Sequence, residues 1–205
     1  SSQVVVVRAT DSTGRFTEQT FSISVTNVVY EPSVFDVQRG QIQRSFVRYV
    51  DLFFQDTTAA SLSQLVTAGR VRLSFLGMLG TADMSLSLAG RLSSTMLSGA
   101  TGKLALDMGV QGIGGNRNSS VGDGYYRLRV DLDGDGTFET NRTFYRLLGD
   151  LNGDRAVTTA DRNLLASLGG PYNPERDVNG DGVVDARDRT LIRTGVSLQI
   201  GRAHV

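Results

Sequence analysis

Residues 149–194 read GDLNGDRAVTTADRNLLASLGGPYNPERDVNGDGVVDARDRTLIRT, and the stretch repeats itself with Asp150 falling on Asp177. Taken as twelve-residue loops, the first half places Asp150, Asn152, Asp154, Thr158 and Asp161 at positions 1, 3, 5, 9 and 12. The second half places Asp177, Asn179, Asp181, Asp185 and Asp188 at the same positions. Position 7, where a backbone carbonyl would serve, holds Ala156 and Val183. Short oxygen-bearing side chains on alternate residues of a tight turn gather hard donors around one point, as a cation that takes six to eight oxygens requires. One such string is also what an ordinary Asp-Gly turn looks like. Two in the same frame, each running into an apolar segment, point to a paired cation module.

The spacing is that of EF-hand ligands, and the pair resembles a dockerin, a duplicated calcium module that docks secreted proteins onto cohesin partners. The resemblance implies two Ca2+ sites, held by Asp150, Asn152, Asp154, Ala156, Thr158 and Asp161 and by Asp177, Asn179, Asp181, Val183, Asp185 and Asp188. It also implies a helix after each loop without a complete entering helix. Leu164, Leu165 and Leu168 would give the first helix its apolar face, and Leu191 and Ile192 the second. Pro171 and Pro174 forbid a long helix between them. In dockerins the residues at loop positions 10 and 11 help select the cohesin; here they are Thr159 and Ala160, then Ala186 and Arg187. Loop one departs from the pattern at position 6, where Arg155 stands in place of the usual Gly. A positive φ costs Arg more than Gly, so loop one is expected to bind less well than loop two.

The composition agrees with a metal-rich C-terminal third. Of the 21 acidic residues in a chain of zero net charge, 12 lie within residues 131–190. Bound calcium would neutralise much of that density. No basic patch with interleaved aromatics appears, which argues against nucleic acid as a partner. The chain has no Cys, so neither a disulfide nor a thiolate site is available. No membrane span and no signal peptide stand out. The chain opens without Met, directly into a strand, and is expected to be part of a longer extracellular or cell-surface protein.

Residues 1–30 read as a β-hairpin. Val5 and Val7 alternate with Val4 and Val6, a turn follows at Asp11-Ser-Thr-Gly14, and Phe21, Ile23 and Val25 alternate with Ser and Thr. Ala9, Asp11 and Gly14, with the closing Val-Thr-Asn-Val of residues 25–28, resemble the last two strands of a cadherin-like repeat. A lone hairpin is marginal in water, so its apolar face requires a cover.

Residues 31–146 read as a second unit of short strands between Gly and Ser turns: 34–37, a long strand over 41–54, then 70–76, 84–92, 102–108, 125–131 and 138–147. One or two helical turns are expected over 59–67. The expected fold class is therefore mainly β, an antiparallel sandwich, followed over 147–200 by the small helical calcium module. The phrases IQRSFVRYVDLFF, DGYYRLRVDLDGDG and FYRLLGDLNGD resemble the immunoglobulin-like domain that precedes dockerins in planctomycete-type surface proteins.

A third candidate metal loop lies inside this unit. Asp131, Asp133 and Asp135 alternate, Thr137 offers a carbonyl and Glu139 stands at position 9, but Arg142 occupies position 12 and cannot ligate. A calcium-binding hairpin and an ordinary Asp-Gly turn fit it equally.

The residues give no catalytic constellation. The one His, His204, is next to the last residue. Asp36, Asp51, Asp56, Asp83, Asp107 and Asp123 are scattered without a pattern, and Gly112-Ile-Gly-Gly115 lacks a strand–helix context for phosphate. Tyr125, Tyr126, Phe144 and Tyr145 read either as a sugar-binding stripe or as cross-strand core pairs. The chain is thus expected to be a non-catalytic calcium-binding adaptor with a protein partner, either a cohesin-like domain or another copy of itself. In the second case it would be a self-assembling subunit of a fibre or surface layer. Carbohydrate enters only through the family association.

Overall fold

The structure, a computed structural model, describes residues 2–24, 30–166 and 170–197. It is mainly β with antiparallel sheets. The N-terminal hairpin pairs β1 (Ser2–Thr10) with β2 (Phe16–Ser24) in the register Val5↔Phe21 and Val7↔Gln19. Paired residues share a face, so Val5, Val7 and Phe21 lie on one side and Val4 and Val6 on the other. All five are exposed, so the valines are divided between two open faces rather than gathered on one. The turn is tied by Asp11, whose Oδ1 accepts from the amides of Thr13 and Arg15, and Gly14 supplies the positive φ. The expected strand end at Val25 and the Val-Thr-Asn-Val run lie outside the described residues.

Eight strands form the central unit. One sheet contains β3 (Val34–Val37), β4 (Tyr49–Phe54), β7 (Leu92–Met96) and β8 (Gly102–Asp107) in the order β3-β4-β8-β7. The other contains β5 (Val71–Gly77), β6 (Met84–Leu86), β9 (Gly124–Val130) and β10 (Thr140–Arg146) in the order β10-β9-β5-β6. Alternation fixes which side is buried. Val50, Leu52 and Phe54 of β4 meet Leu73 of β5 and Tyr126, Leu128 and Val130 of β9 in a single core. Helix α1 (Ala59–Thr67) is capped by the Thr58 side chain and adds Leu62 and Leu65 to that core.

Two strand expectations are corrected. Residues 41–48 are not strand, because their backbone groups bond elsewhere. The amides of Ile42 and Gln43 donate to Glu175 at 3.0 Å each, that of Arg44 to the Asp150 carbonyl, and that of Arg48 to the Gln38 side chain. Residues 84–92 are not one strand either. Gly90, at φ +68°, turns the chain from β6 in one sheet toward β7 in the other.

The C-terminal module has two short helices, α2 (Thr159–Leu164) and α3 (Ala186–Leu191). The two-residue strand β11 (Ala156–Val157) pairs with β12 (Val196–Ser197), after the second helix. A second core joins the module to the outer face of the β9–β10 sheet: Tyr145, Leu147, Leu148, Leu151, Val157, Leu165, Val178 and Ile192 are buried together. Leu165 belongs to this core, whereas Leu164 is exposed, which corrects its place on the apolar face. Leu168 and His204 lie outside the described residues.

The aromatic stripe also resolves. Tyr126 stacks on Phe144 inside the core, with centroids 5.6 Å apart, while Tyr125 meets Tyr145 on the opposite side of the same strands. They are cross-strand pairs split between two faces, as pleat alternation dictates, and not an exposed stripe.

Candidate metal centres

The two C-terminal loops share one hydrogen-bond ladder. In loop one, Asp150 accepts from the amide of Gly153 on Oδ1 at 2.7 Å and from that of Arg155 on Oδ2 at 3.0 Å. Asn152 accepts from Asp154, and Asp154 from Ala156. In loop two, Asp177 accepts from Asp181 on Oδ1 at 3.1 Å and from Gly182 on Oδ2 at 2.8 Å. Asn179 accepts from Asp181, and Asp181 from Val183. Short Asp and Asn side chains make these bonds to amides two or more residues ahead, which curls each loop around its oxygens.

The carboxylate at position 12 closes each loop. Asp161 accepts from the amides of Leu151 and Thr158, at 2.9 and 2.8 Å. Asp188 accepts from those of Val178 and Asp185, at 2.8 Å each. The same two carboxylates complete capping boxes with Thr158 and Asp185 at the starts of α2 and α3. Loop closure and helix start are therefore one device in both repeats.

Burial supplies the electrostatic argument. Asp150 and Asp161 are 0 % exposed and Asp177 and Asp188 each 1 %. Among the described residues none of the four has a Lys or Arg within 4.0 Å. Burial pushes the carboxyls of Asp150 and Asp188 above the ordinary range. A buried carboxylate without a cation is costly, and a bound ion reverses the local balance. The donors are all oxygen, which suits hard cations. The residues present therefore fit such an ion. Asp154, Thr158, Asp181, Asp185 and the Ala156 and Val183 backbones line the same loops at half-buried or exposed positions.

The loop at 131–139 repeats the ladder with a different closure. Asp131 accepts from the amides of Gly134 and Gly136, Asp133 from Asp135, and Asp135 from Thr137. The position-2 amide, that of Leu132, donates to Glu139 at 2.6 Å. Glu139, longer than Asp and three positions earlier, thus does what Asp161 and Asp188 do. The carboxylates of Asp131, Asp133, Asp135 and Glu139 come within 4.8 Å of one another, and this cluster could hold a metal ion. It is the one such group of three or more among the described residues. The C-terminal loops carry Asn at position 3, and among the described residues their carboxylates do not gather within that distance.

Sequence reading missed two residues. Tyr145 donates its hydroxyl to Asp150 Oδ2 at 2.9 Å, and Tyr172 to Asp177 Oδ2 at 3.1 Å. Burial, then the neighbouring carboxylate, raises both phenols, that of Tyr172 to about 12. Each Tyr stands five residues before position 1, so the repeat starts earlier than the loop motif. The signal was present in the sequence. Arg155 holds φ +70°, the conformation expected of a Gly there, and its guanidinium lies over the Tyr145 ring, 5.8 Å from the centroid.

The module is seated on the central unit through residues 42–46. Ser45 Oγ donates to the Val178 carbonyl at 2.6 Å and accepts from the Gly149 amide at 2.8 Å. Gly153 and Gly180, both at position 4, abut the Ile42 carbonyl and the Phe46 ring. Thr159, Ala160, Ala186 and Arg187 remain exposed on the first turns of α2 and α3. No family model, curated protein or solved structure matches the chain. Among the described residues no helix is long and apolar enough to cross a membrane.

Proposed function

We propose that this chain is a non-catalytic, calcium-binding interaction module of the extracellular space or cell surface, with an immunoglobulin-like sandwich carrying a dockerin-like loop pair. One observation carries the reading: two loops of the same spacing close the same ladder around buried carboxylates that, among the described residues, no cationic side chain neutralises. Calcium in Asp150–Asp161 and Asp177–Asp188 would neutralise these groups and hold α2 and α3 in place. Thr159, Ala160, Ala186 and Arg187 would then face a cohesin-like protein partner. The 131–139 cluster is proposed as a third calcium site.

A second reading, a self-assembling fibre or surface-layer subunit, is favoured by the exposed valines on both faces of β1 and β2. Open strands with apolar faces invite further pairing. A head-to-tail contact between the hairpin of one copy and another copy would propagate rather than close.

Light scattering on a sizing column, in millimolar calcium and then in chelator, separates the readings. A monomer in calcium supports the adaptor. Large species that form only in calcium support self-assembly. Identical elution and identical hydrogen exchange in both buffers would overturn the calcium reading itself.

A further inference from the structure

The hydroxyls of Tyr145 and Tyr172 occupy equivalent places in the two repeats. Each lies five residues before position 1 and donates to Oδ2 of the position-1 Asp, the oxygen that also accepts the position-6 amide. The surroundings differ. Tyr145 sits in strand β10, is nearly buried and packs against Tyr125 and Arg155. Tyr172 sits in the Pro171–Pro174 connection and is 55 % exposed. Different packing that yields the same bond at the same oxygen argues that the bond itself is the common element, and not ring burial.

We infer that Tyr145 and Tyr172 are positioning residues that fix the position-1 carboxylates for cation binding, one for each loop. The inference rests on the proposed metal reading of these loops. With Oδ2 held by a hydroxyl and a main-chain amide, the carboxylate is not free to rotate about χ2. The remaining lone pairs of Asp150 and Asp177 then keep their direction toward the loop centre. Groups that orient a ligand in this way typically change metal affinity about 10- to 100-fold when removed. In loop one the hydroxyl comes from a sheet strand and in loop two from a loop, so the first site is tied to the central unit and the second to its own connection.

The test is a calcium titration of the full chain and of Tyr145→Phe and Tyr172→Phe, read by NMR at the position-6 amides of Arg155 and Gly182. Both substitutions keep the ring and remove only the donor. Tyr172→Phe is expected to weaken the response at Gly182 about tenfold and leave Arg155 unchanged; Tyr145→Phe should do the reverse. Calcium-free unfolding midpoints, measured alongside, separate positioning from folding: loss of stability with unaltered affinity overturns the inference. Unaltered affinity in both variants, or equal weakening of both loops by either, also overturns it. A wild-type chain that shows no response at either amide would instead sink the metal reading on which it stands.

Discussion

Gly180 faces the ring of Phe46 so closely that a Cβ added there would stand 2.1 Å from it. Phe46 is buried where the central unit meets the second loop, its ring lying against both Gly112 and Gly180. Gly180 also holds φ +67°. Gly180→Ala therefore combines overpacking, typically about 1–3 kcal/mol, with a left-handed residue, about 1–2 kcal/mol. Gly182→Ala meets nothing within 4 Å and carries the second cost alone. Denaturant unfolding should rank Gly180→Ala clearly below Gly182→Ala. Equal midpoints would mean that the loop does not rest on Phe46.

Buried Arg146 organises the opposite side of the same seat. Its guanidinium donates to the carbonyls of Ser45, Asn116, Ser119 and Val121 and lies 3.0 Å from Asp123. Burial pushes the Asp123 carboxyl up to about 6, even against the neighbouring Arg146 charge, which lowers it. The folded pKa therefore exceeds the unfolded value of about 3.9. The folded form binds the proton more tightly, so this group's contribution to stability is complete below about pH 4 and is lost as pH rises toward 6. The carboxyl carbon of Asp123 should titrate near pH 6 by NMR. Arg146→Met should move that titration higher and destabilise the fold by about 3–5 kcal/mol.

How much of this was legible in the sequence depends on where the partners of each residue lie. The hairpin could be read because its alternation and its Asp11–Gly14 turn are local. The two repeated loops could be read because a twelve-residue spacing encloses each of them. Residues 41–48 could not, because the groups that capture their amides, Glu175 and the Asp150 carbonyl, lie more than one hundred positions away in the chain. Tyr145 fell between two readings. Its place in an aromatic strand suggested core packing, and its role became visible only with its hydroxyl against Asp150. The closure of the 131–139 loop was hidden for a different reason. The EF-hand template asks for an acid at position 12, and a longer Glu at position 9 reaches the same amide.

That closure bears on stoichiometry. If the four-carboxylate cluster holds calcium as the C-terminal loops are proposed to, calorimetry on the full chain should count three ions. Asp133→Asn with Asp135→Asn should reduce the count to two without touching the other loops, because both side chains are exposed. A count of two in the parent chain, unchanged by the substitutions, would leave the 131–139 loop as an Asp-Gly turn.

The proposed dependence of the C-terminal module on its ions predicts where protection will be lost. Asp177→Ala with Asp181→Ala removes positions 1 and 5 of loop two and the acceptors of the Gly182 and Val183 amides. Amide exchange should rise across α3 and around Val178, while the central core of Leu52, Leu73 and Leu128 keeps its protection. Exchange that is the same in the variant, in chelator and in calcium would reject calcium-dependent ordering.

Arg155 stands at position 6 of loop one, where loop two has Gly182. Its φ of +70° carries a left-handed cost of about 1–2 kcal/mol for a residue with a Cβ. The contact of its guanidinium with the Tyr145 ring returns about 0.5–1 kcal/mol at an exposed site. The balance leaves loop one strained where loop two, with Gly182 at φ +90°, is not. Calorimetry should therefore find loop one the weaker calcium site. Arg155→Gly should bring its affinity toward that of loop two while slightly loosening Tyr145. Tighter binding by loop one in the parent chain would show that the ring contact outweighs the backbone strain, and Arg155→Gly would then weaken that loop.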